Sequence, residues 1–138
     1  MTEAEIRRAL ARAGAGTTIG IEPVEIARGR VVLAFAAAAH LTQHHGFVHA
    51  GVLTTVVDSA CGFAAATLMA PGAEVLTVEF KVNFMAPATG ERFACTGEVI
   101  RAGRTLTVCE GRAVDEATGR EVARMQATMM AVAREGKA

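Results

Sequence analysis

The sequence predicts an α+β fold, an antiparallel sheet wrapped around one long buried helix. Three observations lead there. Residues 49–69 are apolar nearly all round, as a helix is when it has no solvent face. Four strand-like runs then follow with no helix between them, which disfavours a parallel sheet. Their connections, "RAGR" at 101–104 and "DEATG" at 115–119, carry turn residues suited to hairpins. A chain of 138 residues suits one domain, 1–138, around a single core.

Each element has its own signal. Residues 2–13 predict a short amphipathic helix: Thr2 and Glu5 have capping-box spacing, Ile6 and Leu10 share a face, and Gly14 ends it. Two strands follow, "TTIGIEPVEI" (17–26) and "GRVVLAFAA" (29–37), split at Ala27-Arg28-Gly29. Residues 40–48 predict a loop, and the long helix at 49–69 stops before Pro71-Gly72. In "EVLTVEFKVNF" (74–84) the period is two. Leu76, Val78, Phe80, Val82 and Phe84 face one way, and Thr77, Glu79, Lys81 and Asn83 the other. "ERFACTGEVI" (91–100), "RTLTVCEGRAV" (104–114) and "REVARMQATMMAV" (120–132) complete the sheet. Phe47, Phe63, Met69 and Phe84 read as ordinary core before they read as pocket wall.

Composition narrows the function. Half the residues are apolar (51%) and 20% are charged, as in a globular protein. Zero formal net charge gives no attraction for a polyanion, and without Trp or Tyr there is no stacking platform for bases. Nucleic acid is therefore not an expected partner. Cys61, Cys95 and Cys109 are odd in number and form no CxxC, which argues against a disulfide framework or zinc cage and for a reducing cytosol. The N-terminus lacks an apolar signal core, and no run reaches the ~18 apolar residues of a spanning helix. The expectation is a soluble cytoplasmic protein with no membrane partner.

The chemistry gathers in "HLTQHHGFVHAGVLTTVVDSACGF", residues 40–63, which holds every histidine. Asp58 stands inside the apolar helix, where a carboxylate needs a partner or a raised pKa. Thr54, Thr55, Cys61 and Gly62 around it make a narrow face of small side chains. The helix begins near His49-Ala50-Gly51, and its first amide N–H groups point at whatever lies beyond, with the positive end of the dipole. Such a terminus holds an anion, or the oxygen that turns negative when a carbonyl is attacked. Nine residues separate His49 from Asp58, about 13 Å along a helix axis, with the side chains on opposite faces. One chain does not bring both to one small group. A two-fold dimer does, by setting the carboxylate of one subunit at the helix terminus of the other.

"HGFVHAGVLTTVVDSACGFAA" resembles the signature of the PaaI-like branch of hotdog-fold acyl-CoA thioesterases. That signature is an Asn or Gln, then H-G-G, then an acid nine residues beyond the His. The likeness continues through "LTVEFKVNFMAPA" and "GEVIRAGRTLTVCEGRAVDEATGREVA". It implies a hotdog fold, a homodimer or dimer of dimers, and an acyl-CoA substrate whose coenzyme A is part of the substrate, with no separate cofactor. It implies Asp58 as the catalytic nucleophile or base, the Ala50 N–H as the carbonyl-polarising donor, Gln43 as an orienting group and His49 as a support. Gly51 completes the H-G-G position, and Thr77 falls where relatives carry a water-positioning Ser or Thr. Arg101 and Arg104 fall near the turn whose basic residues meet coenzyme A phosphates in relatives; as bare sequence they read equally as solvated hairpin charges. Ala50 departs from the family glycine, which keeps the amide but adds a methyl.

Two other readings compete. The pairing of His49 with Asp58 has the residue types of an enoyl-thioester hydratase or dehydratase, though the spacing is that of the thioesterases. The fold also serves non-catalytic modules that bind acyl-CoA. A metal site at His40, His44, His45 and His49 is disfavoured, because the spacings split the rings between two helical faces and Gly46 interrupts them.

Overall fold

The computed structural model describes residues 1–134. It has the expected α+β layout: a six-stranded antiparallel sheet, in the order β1-β2-β4-β5-β6-β3, curls around a central helix. The strands are β1 (Glu22–Ala27), β2 (Arg30–Ala36), β3 (Ala73–Phe84), β4 (Arg92–Ala102), β5 (Leu106–Asp115) and β6 (Glu121–Ala133). The helices are α1 (Glu3–Arg12), α2 (Gly14–Ile19) and α3 (Ala50–Ala66).

α1 forms as its caps dictate. The Glu5 N–H donates to Thr2 Oγ1 at 3.3 Å, and the Thr2 N–H donates to Glu5 Oε2 at 2.7 Å. Ile6 and Leu10 are the buried face. The chain then departs from expectation. Ala13 caps α1, and Gly14 opens a second short helix that takes in Thr17–Ile19, the start of the predicted first strand. The strand begins only after Gly20, whose φ of 79° closes α2 in the left-handed region. The β-branched Thr17, Thr18 and Ile19 favour a strand locally, but Ile19 and Ile21 gain burial by packing on the core.

α3 is shorter than predicted. His49 is its N-cap, and Thr67 ends it before the Pro71-Gly72 stop. The Thr67 hydroxyl donates to Ala64 O at 2.6 Å and accepts from the Gly29 N–H at 2.8 Å, tying the helix end to the β1–β2 turn. Two glycines set how deeply α3 lies on the sheet. Gly97 and Gly111 pair across β4 and β5. A Cβ on Gly97 would stand 2.4 Å from the Cys61 backbone N, and one on Gly111 2.7 Å from Cys61 Sγ. The helix backbone thus rests directly on the strands, with Val56, Val57, Ala60 and Cys61 fully buried. The three cysteines are buried and free, and burial pushes the Cys95 and Cys109 thiols up to about 12 and about 11.

β3 corrects the sequence pattern most. The predicted strict alternation breaks where the register with β6 shifts between Thr77 and Glu79. Thr77 pairs with Met129, while Phe80, Val82 and Phe84 pair with Ala127, Met125 and Ala123, all buried against the helix. Residues opposite one another share a face. Thr77 therefore turns toward α3, not toward Glu79, Lys81 and Asn83. Leu76 pairs with Met130 on the outer side. Among the described residues β3 pairs only with β6, so its other edge is open. Leu76, Val78, Phe80 and Phe84 are 55%, 53%, 40% and 43% exposed in the single protomer.

Candidate active site

The loop before α3 is a tight, stapled turn. Thr42 and Val48 form a β-bridge, the Gln43 N–H donates to Phe47 O at 2.8 Å, and Gly46 takes a φ of 84°. The His49 N–H donates to Leu41 O and the Val48 N–H to Ala88 O, which fixes where α3 begins. Gln43 Oε1 accepts from the His45 N–H at 2.5 Å and the Phe47 N–H at 3.2 Å. Its carbonyl is thereby spent on the loop, and its NH₂ is the end available to a ligand.

His49 caps the helix with its ring. Nδ1 accepts from the Gly51 N–H at 2.8 Å, so the proton of the neutral ring sits on Nε2. Gly51 has a steric reason as well, because a Cβ there would come 3.0 Å from His49 Nδ1. The first-turn amides of α3 are accounted for except one. Gly51 donates to the His49 ring, and Val52 and Leu53 donate to His49 O. Ala50 has no acceptor among the described residues. It opens onto a groove of about 410 Å³ lined by Gln43, Phe47, Leu53, Phe84, Met85 and Pro87.

Asp58 lies two turns further along α3, half-buried. Thr77 Oγ1 donates to Asp58 Oδ1 at 2.8 Å and lies 3.4 Å from Met129 Sδ. Burial pushes the Asp58 carboxyl above its ordinary value of 3.8, and the Thr77 hydrogen bond pulls back against that. The register shift in β3 is what aims Thr77 at the carboxylate, a use of such irregularities common beside functional sites. Met129 escaped sequence reasoning, since "MQATMM" carries no motif.

The chain therefore contains two candidate half-sites. Gln43, Ala50 and the groove form one, and Asp58 with Thr77 the other. They are about 12 Å apart along α3 from Ala50 to Asp58, and about 23 Å apart along β3 from Phe84 to Thr77. His49 and Gly51 hold the first half-site in shape. Arg101 and Arg104 join neither. Arg101 pairs with Val108 on the outer side of the sheet, Arg104 is exposed in the turn, and neither has an ion-pair partner among the described residues. Phe47 and Phe84, read as core, line the groove, while Met69 lines a separate one against α1. Among the described residues no cluster of His, Cys, Asp or Glu could hold a metal, and no helix is long and apolar enough to cross a membrane.

Comparison with known proteins gives the family and the fold. The sequence model of the thioesterase superfamily matches residues 45–122, from the turn before α3 into β6. A solved thioesterase family protein from Silicibacter pomeroyi is 48% identical and superposes with a TM-score of 0.90, over 94% of this chain and 96% of that one. The 1,4-dihydroxy-2-naphthoyl-CoA hydrolase of Listeria monocytogenes is 29% identical over 103 residues, 75% of this chain and 84% of that protein. The PaaI protein of E. coli, from the phenylacetic acid degradation operon, shares the fold with a TM-score of 0.84 at 18% identity, covering 94% of this chain and 92% of its own. The shared architecture is the hotdog fold.

Proposed function

The chain belongs to the thioesterase superfamily, and from that premise we propose that it hydrolyses an acyl-CoA thioester to the free acid and coenzyme A. The observation that carries this reading is Asp58, a half-buried carboxylate held by the Thr77 hydroxyl. A raised pKa in a partly desolvated setting is what a general base for water requires.

In this scheme the thioester carbonyl oxygen accepts from the Ala50 N–H, with the helix dipole behind it. Gln43, through its NH₂, steadies the same oxygen or the incoming water. Asp58 Oδ2 takes a proton from water while Thr77 keeps Oδ1 in place. The hydroxide adds to the carbonyl carbon, the C–S bond breaks, and the proton passes from Asp58 to the departing thiolate. The free acid and the thiol of coenzyme A leave.

The two half-sites meet across a two-fold axis, so the proposed enzyme is a homodimer or a multiple of one. Support comes from β3. Its open edge offers unpaired backbone groups along twelve residues, with Leu76, Val78, Phe80 and Phe84 exposed beside them. An open, apolar edge strand is the feature a second copy covers.

The test is a thiol-release assay on a panel of acyl-CoAs, run beside Asp58→Asn. We expect wild type to release coenzyme A and the variant, folded, to release it roughly 10²–10⁴ more slowly. Hydration of an enoyl-CoA in place of hydrolysis would move the protein to the hydratase class, and binding without turnover would make it an acyl-CoA-binding module. Single turnover in ¹⁸O water separates base from nucleophile, since only a nucleophilic Asp58 acquires the label in its own carboxylate.

A further inference from the structure

α3 contains two glycines, Gly51 and Gly62. A glycine inside a helix is destabilising relative to alanine, so each calls for a reason. Gly51 has one in the His49 ring. Gly97 and Gly111, on the strands, have theirs in the close approach of α3. Gly62 has none of this kind. It is buried, yet a Cβ on it would meet nothing within 4 Å among the described residues. The helix is covered there but not touched, which leaves a slot with room for at least a methyl group.

The slot lies one turn beyond Asp58 on the same helical face. α3 and β3 run in opposite senses: the Ala50 end shares its groove with Phe84, and Asp58 meets Thr77. Gly62, about 6 Å past Asp58 along the axis, lies toward the part of β3 beyond Thr77, on the side away from Phe84, where Val75 is half-buried against the core. The proposed attack places the thioester carbonyl beside Asp58. Carbon attached to that carbonyl reaches a slot one turn away. The coenzyme A arm is the poorer occupant, because its amides and phosphates would lose water where they enter a buried space. We infer that Gly62 holds open the end of the acyl pocket beside Asp58 and sets the size of acyl group accepted. This rests on the hydrolase reading above.

The experiment compares wild type, Gly62→Ala and Gly62→Val on acetyl-, isobutyryl- and benzoyl-CoA, with melting temperatures alongside. The expected result is that Gly62→Ala melts no lower than wild type. Its kcat/KM for benzoyl-CoA relative to acetyl-CoA falls roughly tenfold or more, the scale of one methyl in a tight apolar pocket. Gly62→Val deepens the loss. The same acyl groups on N-acetylcysteamine show the same profile, because the thiol arm does not enter the slot. A uniform drop across all acyl groups, an unchanged profile, or a profile that depends on the thiol overturns the inference. So does a Gly62→Ala variant that melts lower, since the slot would then be structural. Wild type inert to every thioester overturns the hydrolase reading itself, and this inference with it.

Discussion

At Asp58 two influences oppose one another, and each can be removed singly. Burial raises the carboxyl pKa and the Thr77 hydroxyl lowers it. Thr77→Val deletes the lowering influence. The acidic limb of the pH–rate profile should then move to higher pH, because the base is protonated over a wider range. A limb that moves down or stays in place would separate Thr77 from Asp58 titration. Asp58→Asn should cost roughly 10²–10⁴ in kcat, the range for a lost general base. The same variant should be more thermostable at neutral pH. Between the ordinary value of 3.8 and its raised folded value, Asp58 keeps in the folded state a proton that the unfolded chain has released. Stability contributed by this group therefore falls as pH rises through that window. The gain from Asn should be present at pH 7 and vanish near pH 3, as thermal melts at the two pH values would show.

Helix α3 is the element that carries the proposed chemistry, and its ends and seat are open to substitution. Ala50 is the first helical residue, a position where proline is tolerated because its N–H lies outside the helical ladder. His49, at φ −61° and ψ 136°, already has the backbone that precedes proline. Ala50→Pro should therefore leave the melting temperature nearly unchanged while removing the carbonyl donor. A loss of roughly 10²–10³ in kcat is expected, and full activity would remove Ala50 from the scheme. The seat is tested at Gly97. A methyl there meets helix backbone at 2.4 Å. Backbone cannot rotate away, so Gly97→Ala should destabilise by about 1–3 kcal/mol in denaturant unfolding. It should also disturb the Asp58–Thr77 contact, which depends on helix depth.

The proposed shared site is tested at the scale of the whole molecule. Asp58→Asn and Ala50→Pro each damage a different half-site. Co-expressed, they form mixed dimers in which one site combines intact Asp58 from one subunit with intact Ala50 from the other. Random mixing should restore about a quarter of wild-type activity. Activity at the level of either variant alone would show that each chain builds its site unaided. Sedimentation should find the wild type as a dimer or larger at assay concentrations, since the β3 edge leaves Leu76, Val78, Phe80 and Phe84 uncovered in a monomer.

Much was legible in advance, and the reason is local. The fold class, the long buried helix and the hairpins follow from periodicity and turn residues, which are carried by neighbours in the chain. Asp58 stands out as a carboxylate in an apolar helix, Gln43 enters only through the family resemblance, and the structure holds Gln43 and Ala50 apart from Asp58. The proposal of two subunits also starts from local geometry, the nine residues between His49 and Asp58. What neighbours do not encode was decided by tertiary structure. The start of β1 gave way to α2 because Ile19 and Ile21 found burial against the core. Thr77 reached Asp58 only because β3 slips one residue against β6, and that slip belongs to the pairing of strands about fifty residues apart. Gly97, Gly111 and Gly62 look alike in sequence. Only the position of α3 on the sheet shows that the first two leave room for a helix and the third leaves a space unfilled.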